Sequence, residues 1–243
     1  YIETAEYLSA HLLAIVVTLS TNLHSAKFSN STVPPSVKGT GIFFSFSQKK
    51  AVKQFQTQAN EINIYTAGLD NLVIENSKSN FVEVYLVAES YDGQLIEIKN
   101  SEKVIDIKFM FEGTQTREVV FRKFITKRLQ RANVVVKIPE GKKVFIFGEN
   151  VDIESKDFKN DLAIYIENGI VKLNKVQAKT TVKLYSGNVY ASVKNTNIDV
   201  TSNNGKIEID GVLYQKKYQK KTEKQHKELK INSIRANVFL DNF

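Results

Sequence analysis

The chain of 243 residues contains no cysteine. That excludes a disulfide framework, a thiolate nucleophile and any cysteine-ligated metal site, whatever the compartment. Histidine is nearly as scarce, occurring at positions 11, 24 and 226. A Ser/His/Asp triad would have to be built on His226, which sits beside Lys227 in a cationic run with no local carboxylate arrangement to orient it. After residue 26 no segment is apolar enough to cross a membrane as a helix. The 42% hydrophobic content is nevertheless sufficient for a core, so the chain is not of the disordered class.

The one long apolar run is "LSAHLLAIVVTLSTNL", residues 8–23, which carries no charge and closes at "HSA" before Lys27. It has the form of a secretory h-region and cleavage site, so residues 1–26 are expected to be an export signal. The preceding "YIETAEY" is acidic where a signal carries positive charge and there is no initiator Met, so a truncated start is expected. A membrane anchor or a buried core helix are the alternatives, but the run is short of the roughly 20 residues of a bilayer span. Cleavage would start the mature chain near Lys27, in the periplasm, on the outer membrane surface or outside the cell.

Charge is local. The formal net charge is +8, and because residues 1–26 hold Glu3 and Glu6 but no Lys or Arg, the remainder carries +10. "FRKFITKRLQR", residues 121–131, and "QKKYQKKTEKQHKELK", residues 215–230, each contribute +5, which leaves the rest of the mature chain neutral. The second stretch supplies the candidate binding residues Lys216, Lys217, Lys220, Lys221 and Lys224. Three readings apply to them: a solvated loop or charged edge that blocks strand pairing, capture of an anionic polysaccharide or envelope surface with Tyr214 and Tyr218 stacking on sugars, or nucleic-acid binding. Export would disfavour the last, and no nucleic-acid module is visible.

Residues 27–60 read as a leader or linker, Ser/Thr/Pro-rich around "VPPS" and without a clear period up to Ala59. From Glu61 apolar residues recur at every second position, the mark of a strand with one buried face. "VIDIKFMF", residues 104–111, shows it: Ile105, Ile107, Phe109 and Phe111 on one face, Asp106 and Lys108 on the other. "EINIYTAG", "LVIEN", "FVEVYLVAES" and "LIEIKN" behave alike between turn residues, so an all-β domain is expected over 61–243. Residues 117–131 fit either a helix or a strand.

Gly169, Gly187 and Gly205 stand 18 residues apart, each followed two residues on by Val171, Val189 or Ile207 and preceded by five by Ile164, Val182 or Val200. "VFIFGENVDIES", residues 144–155, is a less regular earlier copy. Such a repeat is explained by successive turns of chain stacking roughly 4.8 Å apart, with Val171, Val189 and Ile207 as immediate neighbours in one apolar column. The glycines would mark corners that need φ > 0. The expected fold is therefore a short right-handed β-solenoid or β-helix-like domain with an irregular β-rich N-terminal part. An antiparallel meander or sandwich is the alternative, since "NG" also suits hairpins.

With "VVVKIPEGKKVFIFGENVDIES", residues 134–155, in view, the chain resembles a bacterial putative adhesin domain family, in which a strand ends in Pro-x-Gly and glycine-punctuated β repeats follow. The likeness covers residues 61–213 and the strand "INSIRANVFL". It implies a β-helix-like fold in exported envelope proteins without assigned catalytic residues or cofactors, and hence a non-enzymatic adhesin-like module. The Lys-rich insert departs from the repeat run. A carbohydrate-active lyase or hydrolase on the same scaffold is the competing function, with Asp152, Asp157, Asp161, Asp199 and Asp210 as candidate acids. The positions of Asp152 and Asp199 relative to their glycines do not place them in one column.

Overall fold

The computed structural model describes residues 49–88, 93–112, 132–222 and 227–242. The chain divides into two units, Tyr1–Phe43 and Phe44–Phe243, and every described residue belongs to the second. The expected export signal, the segment 117–131, Lys224 and His226 lie outside the described residues.

The described residues are all β, in seventeen strands. In chain order these are β1 (Lys49–Gln56), β2 (Glu61–Tyr65), β3 (Asn71–Asn76), β4 (Phe81–Ala88), β5 (Gly93–Asn100), β6 (Val104–Glu112), β7 (Ala132–Ile138), β8 (Lys143–Asn150) and β9 (Asp152–Lys156). They continue with β10 (Asp161–Leu173), β11 (Lys179–Val193), β12 (Asn197–Ser202), β13 (Ile207–Ile209), β14 (Val212–Tyr214), β15 (Lys217–Lys220), β16 (Glu228–Ser233) and β17 (Asn237–Asn242). Among the described residues, β1 pairs with β4 from within the segment 27–60.

Two parallel ladders organise them. The first runs β6–β2–β8–β10–β11–β16–β12, using the N-terminal halves of β10 and β11. The second runs β7–β3–β9–β10–β11–β17–β13, using their C-terminal halves. Each turn of chain therefore gives one strand to each ladder, and the alternation read from the sequence points one face of each ladder strand into a shared core. In the first ladder Ile107, Ile64, Ile146, Ile164, Val182, Ile231 and Val200 form one column, each at most 1% exposed. In the second, Val134, Leu72, Ile153, Val171, Val189, Val238 and Ile207 form another, each at most 2% exposed. Antiparallel strands close the ends: β5 on β6 and β4 with β1 on β7 at one, β15 on β12 and β14 on β13 at the other.

The order of layers corrects the expected stacking. Gly169 and Gly187, and Val171 and Val189, are direct partners at the 18-residue offset. Ile207 is not the next neighbour: Val238 lies between it and Val189. The final turn, β16 with β17, is inserted between β11 and the turn made by β12 and β13. At the opposite end the first turn, β2 with β3, lies between the layer of β6 and β7 and that of β8 and β9. Both the first and the last complete turns are thus interior layers.

Polar contacts select this arrangement where the hydrophobic pattern does not. The Ser202 hydroxyl donates to the Ala236 carbonyl at 2.7 Å, and the Ser233 hydroxyl accepts from the Ala236 amide at 2.7 Å. Asn237 donates its amide to Asn188 at 3.0 Å. Ser202 and Ser233 are both buried, so these bonds satisfy groups that would otherwise be costly inside the core.

The glycines are explained only in part by corners. Gly187 has φ +122°, yet it lies within β11, where the strand passes from one ladder to the other. A Cβ there would overlap the carbonyl oxygen of Gly169, so the position needs glycine for close approach as well as for φ. Gly205 needs it for approach alone, against the Ala236 carbonyl oxygen. Gly148 is not the counterpart of Gly169: it pairs with Ile166, and the glycine column continues instead at Val151.

Candidate functional site

The first part of the lysine-rich insert forms the edge strand β15, and its last residues, from Glu228, enter the interior strand β16. Lys216, in a left-handed corner with φ +59°, offers its carbonyl to the Ser202 amide at 2.9 Å while its side chain is exposed. From there β15 runs antiparallel to β12, with Thr201 opposite Lys217 and Ile198 opposite Lys220. Strand alternation sends Lys217 to the face of Thr201 and Lys220 to the face of Ile198. Lys220 and Lys221 line a cleft of about 620 Å³ with Asp199, Gln219, Thr222 and Glu228. Lys216, Lys217, Lys220 and Lys221 are all exposed, and none forms an ion pair among the described residues. Lys217 and Lys220 are thus held in the edge strand β15, with Lys216 and Lys221 flanking it.

Tyr214 and Tyr218 lie on the two strands that cover the edge, β14 and β15. They pair with Ile207 and Val200, both of inner columns, and meet edge to face with centroids 4.7 Å apart. Tyr218 packs against the core while Tyr214 is exposed beside it, and burial, followed by the proximity of Tyr214 and Asp210, raises the Tyr218 phenol above its ordinary pKa.

The candidate acids are engaged in holding neighbouring layers together. Asp152 accepts from the Ile170 amide at 2.8 Å, Asp161 from the Lys179 amide at 3.3 Å, and Asp210 from the Asn242 amide at 2.8 Å. Asp157 accepts from Gln177 at 3.4 Å and Asp199 from Gln219 at 3.0 Å. Asp152 lies in the second ladder and Asp199 in the first, so the fold does not bring them into one column. No group of three His, Asp or Glu side chains among the described residues is arranged to hold a metal.

An aromatic column, which sequence reasoning missed, stands on the outer face of the first ladder. Tyr65, Phe147 and Tyr165 are register partners and stack at 5.5 Å between successive centroids. Lys108 lies 4.9 Å from the Tyr65 ring at one end and Lys183 5.5 Å from the Tyr165 ring at the other. Ring faces spent on one another and on lysines brace the layers rather than offer a platform. The signal was present as Tyr65, Phe147 and Tyr165 at outward positions, but only the register aligns them.

No family model matches the sequence, and no curated protein matches it. Among solved structures, the fold is similar to that of a putative cell adhesion protein from Clostridium sporogenes ATCC 15579, with TM-score 0.54 and 14% identity over 81% of this chain and 98% of that one. A putative adhesin from Bacteroides fragilis NCTC 9343 aligns over 81% of this chain and 98% of its own with TM-score 0.28 and 12% identity. At such identities the first likeness is one of fold alone, an all-β architecture shared along most of both chains. No helix among the described residues is long and apolar enough to cross a membrane.

Proposed function

We propose that the chain is a non-enzymatic, exported envelope or cell-surface module whose layers wind as a short β-solenoid and whose Lys-rich end captures an anionic polysaccharide or envelope surface. The observation that carries the reading is the grouping of four exposed lysines, none in an ion pair among the described residues, on and beside the edge strand β15. A concentrated positive edge attracts polyanions through the summed field and needs no shaped pocket. The same lysines discourage edge-to-edge pairing of β15 with another chain, so protection and capture are compatible. The similarity of fold to a putative cell adhesion protein supports the adhesive role, and residues 1–26 would supply the route out of the cell. A carbohydrate-active enzyme on this scaffold is disfavoured by the engagement of all five candidate carboxylates in bonds to adjacent layers.

Replacing Lys216, Lys217, Lys220 and Lys221 together with Glu is expected to abolish retention on immobilised acidic glycan at low ionic strength. Wild-type retention is expected to fall with added salt, as screening shortens the reach of exposed charges to about 8 Å at physiological ionic strength. Retention by the variant equal to that of the wild type would reduce the insert to a solvated edge.

A further inference from the structure

The inserted final turn also creates a groove that the repeat alone would not. On the outer face of the first ladder, Tyr165, Lys183 and Asn232 are consecutive register partners. Two residues further along the same strands lie Glu167, Tyr185 and Ile234, and these six residues line an open groove of about 470 Å³. Were the layers stacked in sequence order, Thr201 and Asn203 would occupy the places that Asn232 and Ile234 hold. The insertion brings Asn232, Ile234 and Arg235 beside Tyr185 instead, with the Arg235 amide donating to the Tyr185 carbonyl at 2.8 Å.

The chemistry of the groove is specific in kind. Tyr185 is 47% exposed and Ile234 42% exposed, an aromatic and an aliphatic surface side by side. The Arg235 guanidinium sits 5.6 Å from the Tyr185 ring centroid, and Lys183 covers the Tyr165 ring whose other face is stacked on Phe147. Both faces of Tyr165 are thus occupied, whereas Tyr185 has Arg235 over one face and keeps the rest of its exposed surface for a ligand. Neither Lys183 nor Arg235 has an acidic partner among the described residues.

We propose that this groove binds an acidic sugar unit of a polysaccharide. The apolar face of a pyranose ring would lie on Tyr185 and Ile234, its carboxylate between Lys183 and Arg235, and its hydroxyls would donate to Glu167 and exchange hydrogen bonds with Asn232. A neutral sugar leaves both cations unused, and a simple inorganic anion leaves the apolar surface uncovered. The groove is distinct from the Lys-rich end, and it confers preference for a sugar unit where the end confers attraction to charge.

The test is calorimetric titration of the full chain with hexagalacturonate and, as the neutral counterpart, cellohexaose. Wild type is expected to bind the first and not the second. Tyr185→Ala is expected to weaken binding about tenfold or more, Tyr185→Phe to retain it, and the double change Lys183→Met, Arg235→Met to remove both the affinity and much of its salt dependence. These side chains are outside the core, and unchanged thermal unfolding of each variant would confirm an intact fold. The Tyr185→Ala loss is expected to persist when the four insert lysines are Glu. Failure of wild type to bind hexagalacturonate overturns the proposal, as does equal binding of cellohexaose. Full binding by Tyr185→Ala with loss in the insert variant overturns the groove and leaves the insert reading standing. Loss in Tyr185→Ala with none in the insert variant does the reverse.

Discussion

Val189→Asp is expected to lower the stability of the fold by on the order of 4 kcal/mol, measured by denaturant unfolding at neutral pH. Val189 is 0% exposed and lies between Val171 and Val238 in a column with no polar neighbour to receive a carboxylate. Either the charge is buried unpaired or the layers separate, and both outcomes cost far more than the lost methyl contacts. The sign of the pH dependence follows from the same burial. Desolvation raises the carboxyl pKa in the folded state above its unfolded value of about 3.9, so protonation favours the folded form. The deficit relative to wild type is therefore expected to be greatest at neutral pH and to shrink as pH falls through the raised value toward about 4. An Asp on the outer face would show neither effect. Unfolding identical to wild type would mean that Val189 does not face the core.

Gly187→Val is expected to cost about 3 to 5 kcal/mol, combining strain at a positive φ with overpacking. The φ of +122° is one that a β-branched residue rarely adopts, and its Cβ would overlap the Gly169 carbonyl oxygen on the adjoining strand. Because that atom is backbone in a paired strand, it cannot rotate away as a flexible side chain would. Gly211→Ala gives the contrast: at φ +78° it incurs backbone strain, but nothing lies within 4 Å of the added carbon. The two variants thus separate steric exclusion by the layer beneath from conformational preference alone. Equal and small losses in both would show that the 18-residue glycine spacing reflects turn propensity and not stacking.

These expectations rest on features that differ in how plainly the sequence carries them. The all-β class and the buried faces are written in the alternation of Ile105, Ile107 and Phe109 and of Ile62 and Ile64, because a strand's side chains change face at every residue. The pairing of β10 with β11 is equally plain, since Ile164 and Val182, Gly169 and Gly187, Val171 and Val189 recur together at one offset. The position of the final turn is not. Val200 and Ile207 continue the 18-residue period faithfully, and nothing in an apolar column distinguishes Val200 from Ile231 as the partner of Val182. What distinguishes them is a set of polar and close-packed contacts among Ser202, Ser233, Ala236 and Gly205, which become meaningful only once the layers are in place.

The candidate sites divide in the same way. The cationic insert is visible as composition, although its fixing as β15 on the edge of β12 depends on Tyr218 closing the core. The groove at Tyr185 is not visible, because Ile234 and Arg235 reach it through the inserted turn and not through the repeat. Its proposed function depends on the layer order more than does any other feature.

Layer order can be tested directly because the chain has no native cysteine to confuse the result. Asn188 and Asn237 are register partners on adjacent strands, whereas Lys206 lies one layer beyond, its amide donating to the Asn237 side chain. Adjacent strands are about 4.8 Å apart, within the Cα separation that a disulfide spans, and strands two layers apart, at about 10 Å, are beyond it. With paired cysteines at 188 and 237, mild oxidation is expected to give an intramolecular disulfide, while a pair at 188 and 206 is expected to remain reduced. Ready formation of the 188–206 bond, with none between 188 and 237, would contradict the inserted turn, and with it the groove beside Tyr185.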